Sequence, residues 1–130
     1  CRELKICDDV RFLGKQQEME EILAISDLFI LTSEYESFGL SALEAMAAGV
    51  PVLSTNAGGL PEINIHGQTG FMANVGDIKE MSRLGIDLLG NEELLKTFKQ
   101  NAREHAAKFD IHHIVPLYEK LYERFVSVVV

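Results

Sequence analysis

Leu28-Phe29-Ile30-Leu31-Thr32-Ser33-Glu34-Tyr35-Glu36-Ser37-Phe38-Gly39-Leu40-Ser41-Ala42-Leu43-Glu44-Ala45-Met46-Ala47-Ala48-Gly49 is the stretch whose reading decides the fold. It opens on a continuous apolar run, Leu28 to Leu31, the pattern of a strand buried on both faces. It closes on an Ala- and Leu-rich segment, Leu40 to Ala48, which reads as a helix stopped by Gly49. A buried strand, a polar loop and a helix in succession form one unit of an α/β fold.

The same alternation extends outward on both sides. Upstream, Val10-Arg11-Phe12-Leu13 reads as a short strand ending at Gly14. Glu18 to Ile25 places Met19, Ile22, Leu23 and Ile25 at helical spacing. Downstream, Pro51-Val52-Leu53-Ser54 is the next strand, with proline at its first residue, where it is tolerated. Gly70-Phe71-Met72-Ala73 is a fourth. From Ile78 onward every pattern is helical. One helix spans Ile78 to Leu89, and a second spans Glu92 to Lys108 behind Asn91 as N-cap. A third runs from Ile111 to Phe125, with Pro116 in its first turns or splitting it. Its Leu117, Leu121 and Phe125 recur every fourth residue and read as a core stripe.

Alternating strands and helices imply parallel strands joined by crossover helices. Four strands make only part of a doubly wound sheet, with an open apolar edge. Ligands of such sheets bind at the carboxyl ends of the strands, which directs attention to the loops after Leu13, Leu31 and Ser54.

Composition narrows the function classes. The chain has 130 residues, enough for one domain or part of one. Twelve Lys and Arg stand against twenty Asp and Glu, for a net charge of −8, which disfavours non-specific nucleic-acid binding. No apolar run approaches the roughly 18–20 residues of a membrane span; the apolar end from Phe125 to Val130 is far too short. Cys1 and Cys7 are too few for a disulfide framework and lack metal-ligand spacing, so they read as reduced thiols of a cytosolic protein. The chain starts without Met or a signal peptide and reads as a fragment. Adjacent His112 and His113 point apart on a helix and make a poor metal pair, and His66 and His105 read as ordinary loop or helix residues.

The loop from Thr32 to Gly39 carries the chemistry. The first amides of the helix that follows have no partner inside it and, with the helix dipole, form an anion site suited to a diphosphate. Gly39 lets a ligand approach the backbone closely. Glu36 and Glu44 flank that helix start. Glu44 sits in a helix otherwise made of Leu40, Ala42, Leu43, Ala45, Met46 and Ala47, where a carboxylate is costly unless something hydrogen-bonds it. Ionised carboxylates accept hydrogen bonds only, so they suit hydroxyl donors and repel phosphate. Two carboxylates around a phosphate site suggest hydroxyls on both sides of a diphosphate, as in a nucleotide sugar. An ordinary strand–loop–helix joint, with Glu44 on a solvated helix face or in a salt bridge, is the plainer alternative.

Glu36-Ser37-Phe38-Gly39-Leu40-Ser41-Ala42-Leu43-Glu44 is a Glu-x7-Glu motif. Val10 to Gly14, Ser26-Asp27-Leu28, Gly49-Val50-Pro51-Val52, Gly58-Gly59-Leu60-Pro61-Glu62, Gly67-Gln68-Thr69-Gly70-Phe71 and Gly76-Asp77 accompany it in order. Over essentially the whole chain this set resembles the retaining glycosyltransferases of family 4, which have the two-domain GT-B fold. The resemblance implies a Rossmann-like doubly wound parallel sheet: the C-terminal half of a GT-B donor domain, followed by C-terminal helices. Residues 1–130 would then be a partial nucleotide-sugar-binding domain.

The resemblance also implies roles. Glu36 would bind donor-sugar hydroxyls at the catalytic centre. Backbone amides of Phe38, Gly39 and Leu40 would hold sugar and diphosphate, and Glu44 the ribose. The Gly14-Lys15-Gln16 loop, through Gly14 and Lys15, would lie against the nucleobase, with a solvated loop lysine as the alternative for Lys15. Gly58, Gly59 and Glu62 look structural, a turn and a helix start. In this family, retention is usually assigned to front-face transfer assisted by the leaving diphosphate, so Glu36 is not a firm general base. No metal or other cofactor is required by that scheme, and no DxD-type motif occurs.

Phe12 to Gln16, Ser33 to Gly39 and Ile65 to Gly70 resemble one branch, the N-acetylglucosaminyl-malate synthases of bacillithiol biosynthesis. These enzymes use UDP-N-acetylglucosamine and L-malate. The implied partners are a nucleotide-sugar donor, a small acceptor and a missing N-terminal acceptor domain, with a homo-oligomer allowed. The phosphate-gripping basic pair and glycine-rich turn of the family's donor domain are also missing. The expectation is that this chain alone is inactive. The competing reading is a non-catalytic module binding a nucleotide or a protein partner, and a GT-B epimerase is a weaker third.

Overall fold

The computed structural model describes residues 1–126. A short 3-10 turn, Cys7–Asp9, precedes α1 (Met19–Ala24), β1 (Phe29–Leu31), α2 (Leu40–Ala47), β2 (Val52–Thr55), α3 (Leu60–Ile63) and β3 (Gly70–Ala73). Three helices complete the chain: α4 (Ile78–Leu89), α5 (Glu92–Ala106) and α6 (Ile111–Val126). A second 3-10 turn, Ala107–Phe109, joins the last two.

The strands form one parallel sheet in the order β1-β2-β3. Phe29 pairs with Val52, and Val52 with Gly70. Successive side chains of β2 alternate between the sheet's faces. Val52 packs with Ala42, Ala45 and Met46 of α2, Leu60 and Ile63 of α3, and Ala102 and Ala106 of α5. Leu53 packs with Ala73 and with Leu84 of α4. Helices therefore cover both faces, as a doubly wound sheet requires. Alanines on α2 let that helix lie close to the sheet and to α5.

A buried amide ties the sheet together. Asn64, at the end of α3, is fully buried. Its Nδ2 donates to the Val52 carbonyl (3.1 Å), Ser54 Oγ (2.9 Å) and the Phe71 carbonyl (3.0 Å). Thr69 Oγ1 donates to its Oδ1 at 3.1 Å. Ser54 and Thr55, polar residues in a strand buried along its length, are thus hydrogen-bonded, as burial demands.

Four expectations need correction. Val10 to Leu13 forms no strand. Phe12 and Leu13 are exposed, and no neighbouring strand supplies ladder hydrogen bonds. An apolar run becomes a strand only where such a partner exists. The sheet therefore has three strands among the described residues. β1 is its edge and is not buried on both faces, since Ile30 is 56% exposed. The Leu117, Leu121 and Phe125 stripe is exposed, because α6 packs mainly on the turn at Ala107–Phe109 and no described element covers its far side. α5 ends at Ala106, where the chain tightens into a 3-10 turn.

Pro116 lies inside α6 without splitting it. The helical bond it cannot make would end on the carbonyl of His112, an exposed residue open to water. Asn91 caps α5 as expected, its side chain accepting from the Leu94 amide at 3.0 Å. Ser127 to Val130, part of the apolar end read from the sequence, lie outside the described residues.

Candidate functional site

The loops leaving β1 and β2 meet beyond the strands' carboxyl ends. Thr55 Oγ1 donates to the Ser33 carbonyl at 2.5 Å. The Gly59 amide donates to the Glu36 carbonyl at 3.2 Å. A Cβ on Gly58, whose φ is +52°, would lie 1.6 Å from that carbonyl oxygen. A Cβ on Gly59 would lie 2.6 Å from the Ser37 carbonyl. Gly58 and Gly59 thus form a side-chain-free seat on which Glu36, Ser37 and Phe38 rest. Their sequence reads as a turn and a helix start, and the contact with the motif loop is an addition from the structure. Their adjacency was the available signal.

Gly39 is the N-cap of α2, in the left-handed region at φ +92°. Its buried backbone lies against α3, where an added Cβ would fall 2.8 Å from Leu60 Cδ2. Asp77 caps α4 and Asn91 caps α5 with side-chain hydrogen bonds, whereas α2 has no side-chain cap. The first amides of α2 are therefore available to an external acceptor, at the positive end of the helix dipole.

Glu36 is half-buried beside Gly39. Phe38 is partly exposed, with its ring edge-on to Phe109 at 6.4 Å. Leu40 is exposed. Glu44 follows Leu40 by four residues, about 6 Å along the axis and on the same side. It lies on the solvated side of α2, opposite buried Ala42, Ala45 and Met46. The expectation that its apolar helix would make the carboxylate costly is corrected: Glu44 is on the solvated helix face, and burial places no demand on it. Neither Glu36 nor Glu44 gives its carboxylate a protein hydrogen bond or ion pair among the described residues.

Glu44 stands between two surface cavities. One, of about 570 Å³, is lined by Gln17, Met19, Glu20, Leu23, Ala47 and Glu44 itself. The other, of about 370 Å³, includes Leu40, Leu43, Arg103 and Phe109. Gly14 turns the chain at φ +66°, and Gln16 Nε2 donates to the Leu13 carbonyl across that turn. Gly14 and Lys15 are exposed and are not part of either wall. The structure thus gathers Glu36, Phe38, Gly39 and Leu40 at one helix start with Glu44 a turn beyond, and leaves Gly14 and Lys15 apart. Gln17 and Glu20, which face the larger cavity with Glu44, carry no signal of this in the sequence.

Behind Phe38, Phe109 also meets the His105 ring at 5.5 Å. His105 Nε2 is buried with no side-chain hydrogen-bond partner among the described residues. Burial, then the nearby Lys108 charge, lowers its pKa, while a backbone hydrogen bond at Ile63 acts in the opposite direction. His66 is more than a loop residue: its Nδ1 accepts from the Met72 amide at 2.9 Å and its ring rests on Phe71. Among the described residues, no three His, Cys, Asp or Glu side chains are placed to hold a metal ion, and no helix is long and apolar enough to cross a membrane.

Residues 1–105 match the family described as glycosyl transferases group 1. The chain belongs to the group 1 glycosyltransferases. This glycosyltransferase chain is 48% identical over 122 residues to the N-acetyl-alpha-D-glucosaminyl L-malate synthase of Bacillus anthracis, covering 93% of the chain and 32% of that protein. It is 38% identical over 104 residues to the sulfoquinovosyl transferase of Arabidopsis thaliana, covering 76% of the chain and 20% of that protein. Its fold matches Anabaena HepE in complex with UDP at a TM-score of 0.85 and 30% identity, over 97% of this chain and 34% of that one. HepE has also been solved with UDP-glucose. Such neighbours are GT-B enzymes, and the parallel sheet with helices on both faces is the architecture expected from the motifs. The chain spans about a third or less of the length of these two curated relatives.

Proposed function

We propose that this chain is the donor-binding region of a retaining family 4 glycosyltransferase. The enzyme moves N-acetylglucosamine from UDP-N-acetylglucosamine to a small hydroxy acid, L-malate, as a step in bacillithiol biosynthesis. One observation carries the reading: the uncapped start of α2 behind left-handed Gly39, with carboxylates on both sides of it. The donor's diphosphate has two oxygen-rich groups that match those amides. Its sugar hydroxyls face Glu36, and its ribose hydroxyls face Glu44 beside the larger cavity. Amides of Phe38, Gly39 and Leu40 hold the sugar and diphosphate. Gly14 and Lys15 approach the base from their exposed turn. The likeness to an N-acetylglucosaminyl-malate synthase and to UDP-bound HepE favours a uridine donor.

Catalysis then rests on orientation and on stabilising charge at the leaving diphosphate. Amides of α2 supply that stabilisation, and no metal or other cofactor takes part. Glu36 orients the sugar at the reacting carbon. The acceptor binds in a cleft completed by protein outside residues 1–130, so the chain alone is inactive. Two cysteines, too few for a disulfide framework, fit a reducing cytoplasm.

Calorimetry on the parent protein with UDP-N-acetylglucosamine tests this reading. Wild type binds in the micromolar range, and Glu44→Ala weakens binding by about tenfold or more, equivalent to about 1.4 kcal/mol. If wild type binds no UDP-, GDP- or ADP-sugar, the motif is architecture only and the interaction-module reading replaces this one.

A further inference from the structure

Cys1 and Cys7 are the two cysteines of the chain. Both are exposed free thiols, and their sulfurs lie 2.8 Å apart. The loop between them is closed by its own backbone. The Ile6 amide donates to the Cys1 carbonyl and the Lys5 amide to the Arg2 carbonyl, each at 3.2 Å. Lys5 sits at φ +54°, alone among the described non-glycine residues in the left-handed region. This left-handed residue reverses the chain and brings the two sulfurs together. Cys7 then opens the first 3-10 turn, and the chain runs on to the exposed Gly14–Lys15 turn.

We infer that Cys1 and Cys7 are a modification site, closing reversibly into an intramolecular disulfide. A disulfide needs its sulfurs at about 2.05 Å, so closure asks for less than an ångström of approach between side chains already facing each other. Exposure admits a small oxidant, and an exposed bond remains open to reduction. The co-reactant is a low-molecular-weight disulfide of the glutathione type. One cysteine thiolate attacks a sulfur of that disulfide, breaking its S–S bond and expelling one small thiolate. The second cysteine thiolate attacks the protein sulfur of the mixed disulfide and expels the other. The two protons lost by the cysteines pass to the two expelled thiolates. The protein is oxidised by two electrons and the small disulfide is reduced by two. Nothing in this exchange depends on the proposed sugar transfer.

The test is to treat the reduced parent protein with glutathione disulfide and map its peptides. Trypsin cuts after Arg2 and Lys5, between the two cysteines. The expected product is the Cys1 peptide joined to Ile6–Arg11, two hydrogens lighter than the reduced pair and separated by dithiothreitol. Both thiols disappear from titration together. Cys7→Ser abolishes the cross-link and leaves Cys1 carrying a stable glutathione adduct. Three results would overturn the inference: retention of both thiols, stable glutathione adducts on both cysteines of wild type, or cross-links between molecules in place of the internal one.

Discussion

Gly58→Ala is the substitution that most directly probes the seat beneath the motif loop. The new Cβ would start 1.6 Å from the Glu36 carbonyl oxygen, where real contacts stay beyond 3.0 Å, so the carbonyl has to retreat by roughly 1.4 Å. Three costs combine. Alanine in the left-handed region costs about 1–2 kcal/mol. Losing the Gly59–Glu36 hydrogen bond costs about 1 kcal/mol. Relaxing the overpacked contact costs about 1–3 kcal/mol. Gly76→Ala is the matched control, because Gly76 has φ +83° and nothing within 4 Å of its Cβ. It incurs the left-handed cost of about 1–2 kcal/mol alone. The difference between the variants, about 2–4 kcal/mol, isolates the contact with Glu36. Thermal and urea unfolding of the parent protein reads the stability difference. Transfer assays read the functional one, since displacing Glu36 by over an ångström lowers the rate by about two orders of magnitude. Equal stability losses in the two variants would refute the seat, and an unchanged transfer rate in Gly58→Ala would refute the role of Glu36.

Further substitutions follow from the packing. Asn64→Ala leaves the Val52 and Phe71 carbonyls and Ser54 Oγ without their buried donor, and unfolding measurements should show a loss of about 3 kcal/mol. Leu60→Ala removes a fully buried side chain and should cost about 2–5 kcal/mol, whereas Leu117→Ala, 60% exposed on α6, should change domain stability by less than about 0.5 kcal/mol. His105 has its folded pKa held below its ordinary 6.5 by burial and by Lys108. The unfolded chain therefore binds the proton more readily, so its contribution to stability is complete above about pH 7 and declines as pH falls through 6.5 toward the lowered folded value. His105→Gln should flatten that part of the stability–pH curve, and an unchanged slope would show that another group controls it.

α4 was legible to the residue from its apolar spacing between Ile78 and Leu89, and the structure adds the Asp77 cap and the Gly90 end that agree with that spacing. α2 and its position behind an apolar strand were equally plain, since Gly39 and Gly49 bracket an uninterrupted Ala–Leu helix. The candidate site residues from Glu36 to Glu44 are contiguous, so chain order alone places them at one loop–helix junction, Glu36 and Phe38 before α2 and Leu40 and Glu44 on it. Val10 to Leu13 and α6 depart from their sequence patterns for a common reason. Apolar spacing reports which face can be buried, but burial also requires a neighbour, and none of the described elements covers them.

Local order along the chain, the parallel sheet and the helix start flanked by carboxylates follow from short-range patterns that the 130 residues carry themselves. Tertiary structure alone decided what meets across long sequence separations. It set the Gly58–Gly59 seat under Glu36, the Asn64 amide between β2 and β3, the cavity shared by Glu44, Gln17 and Glu20, and the exposure of Glu44. Those contacts depend on how helices dock onto the sheet, and docking is settled by volume, hydrogen-bond satisfaction and close backbone approach, none of which has a sequence period.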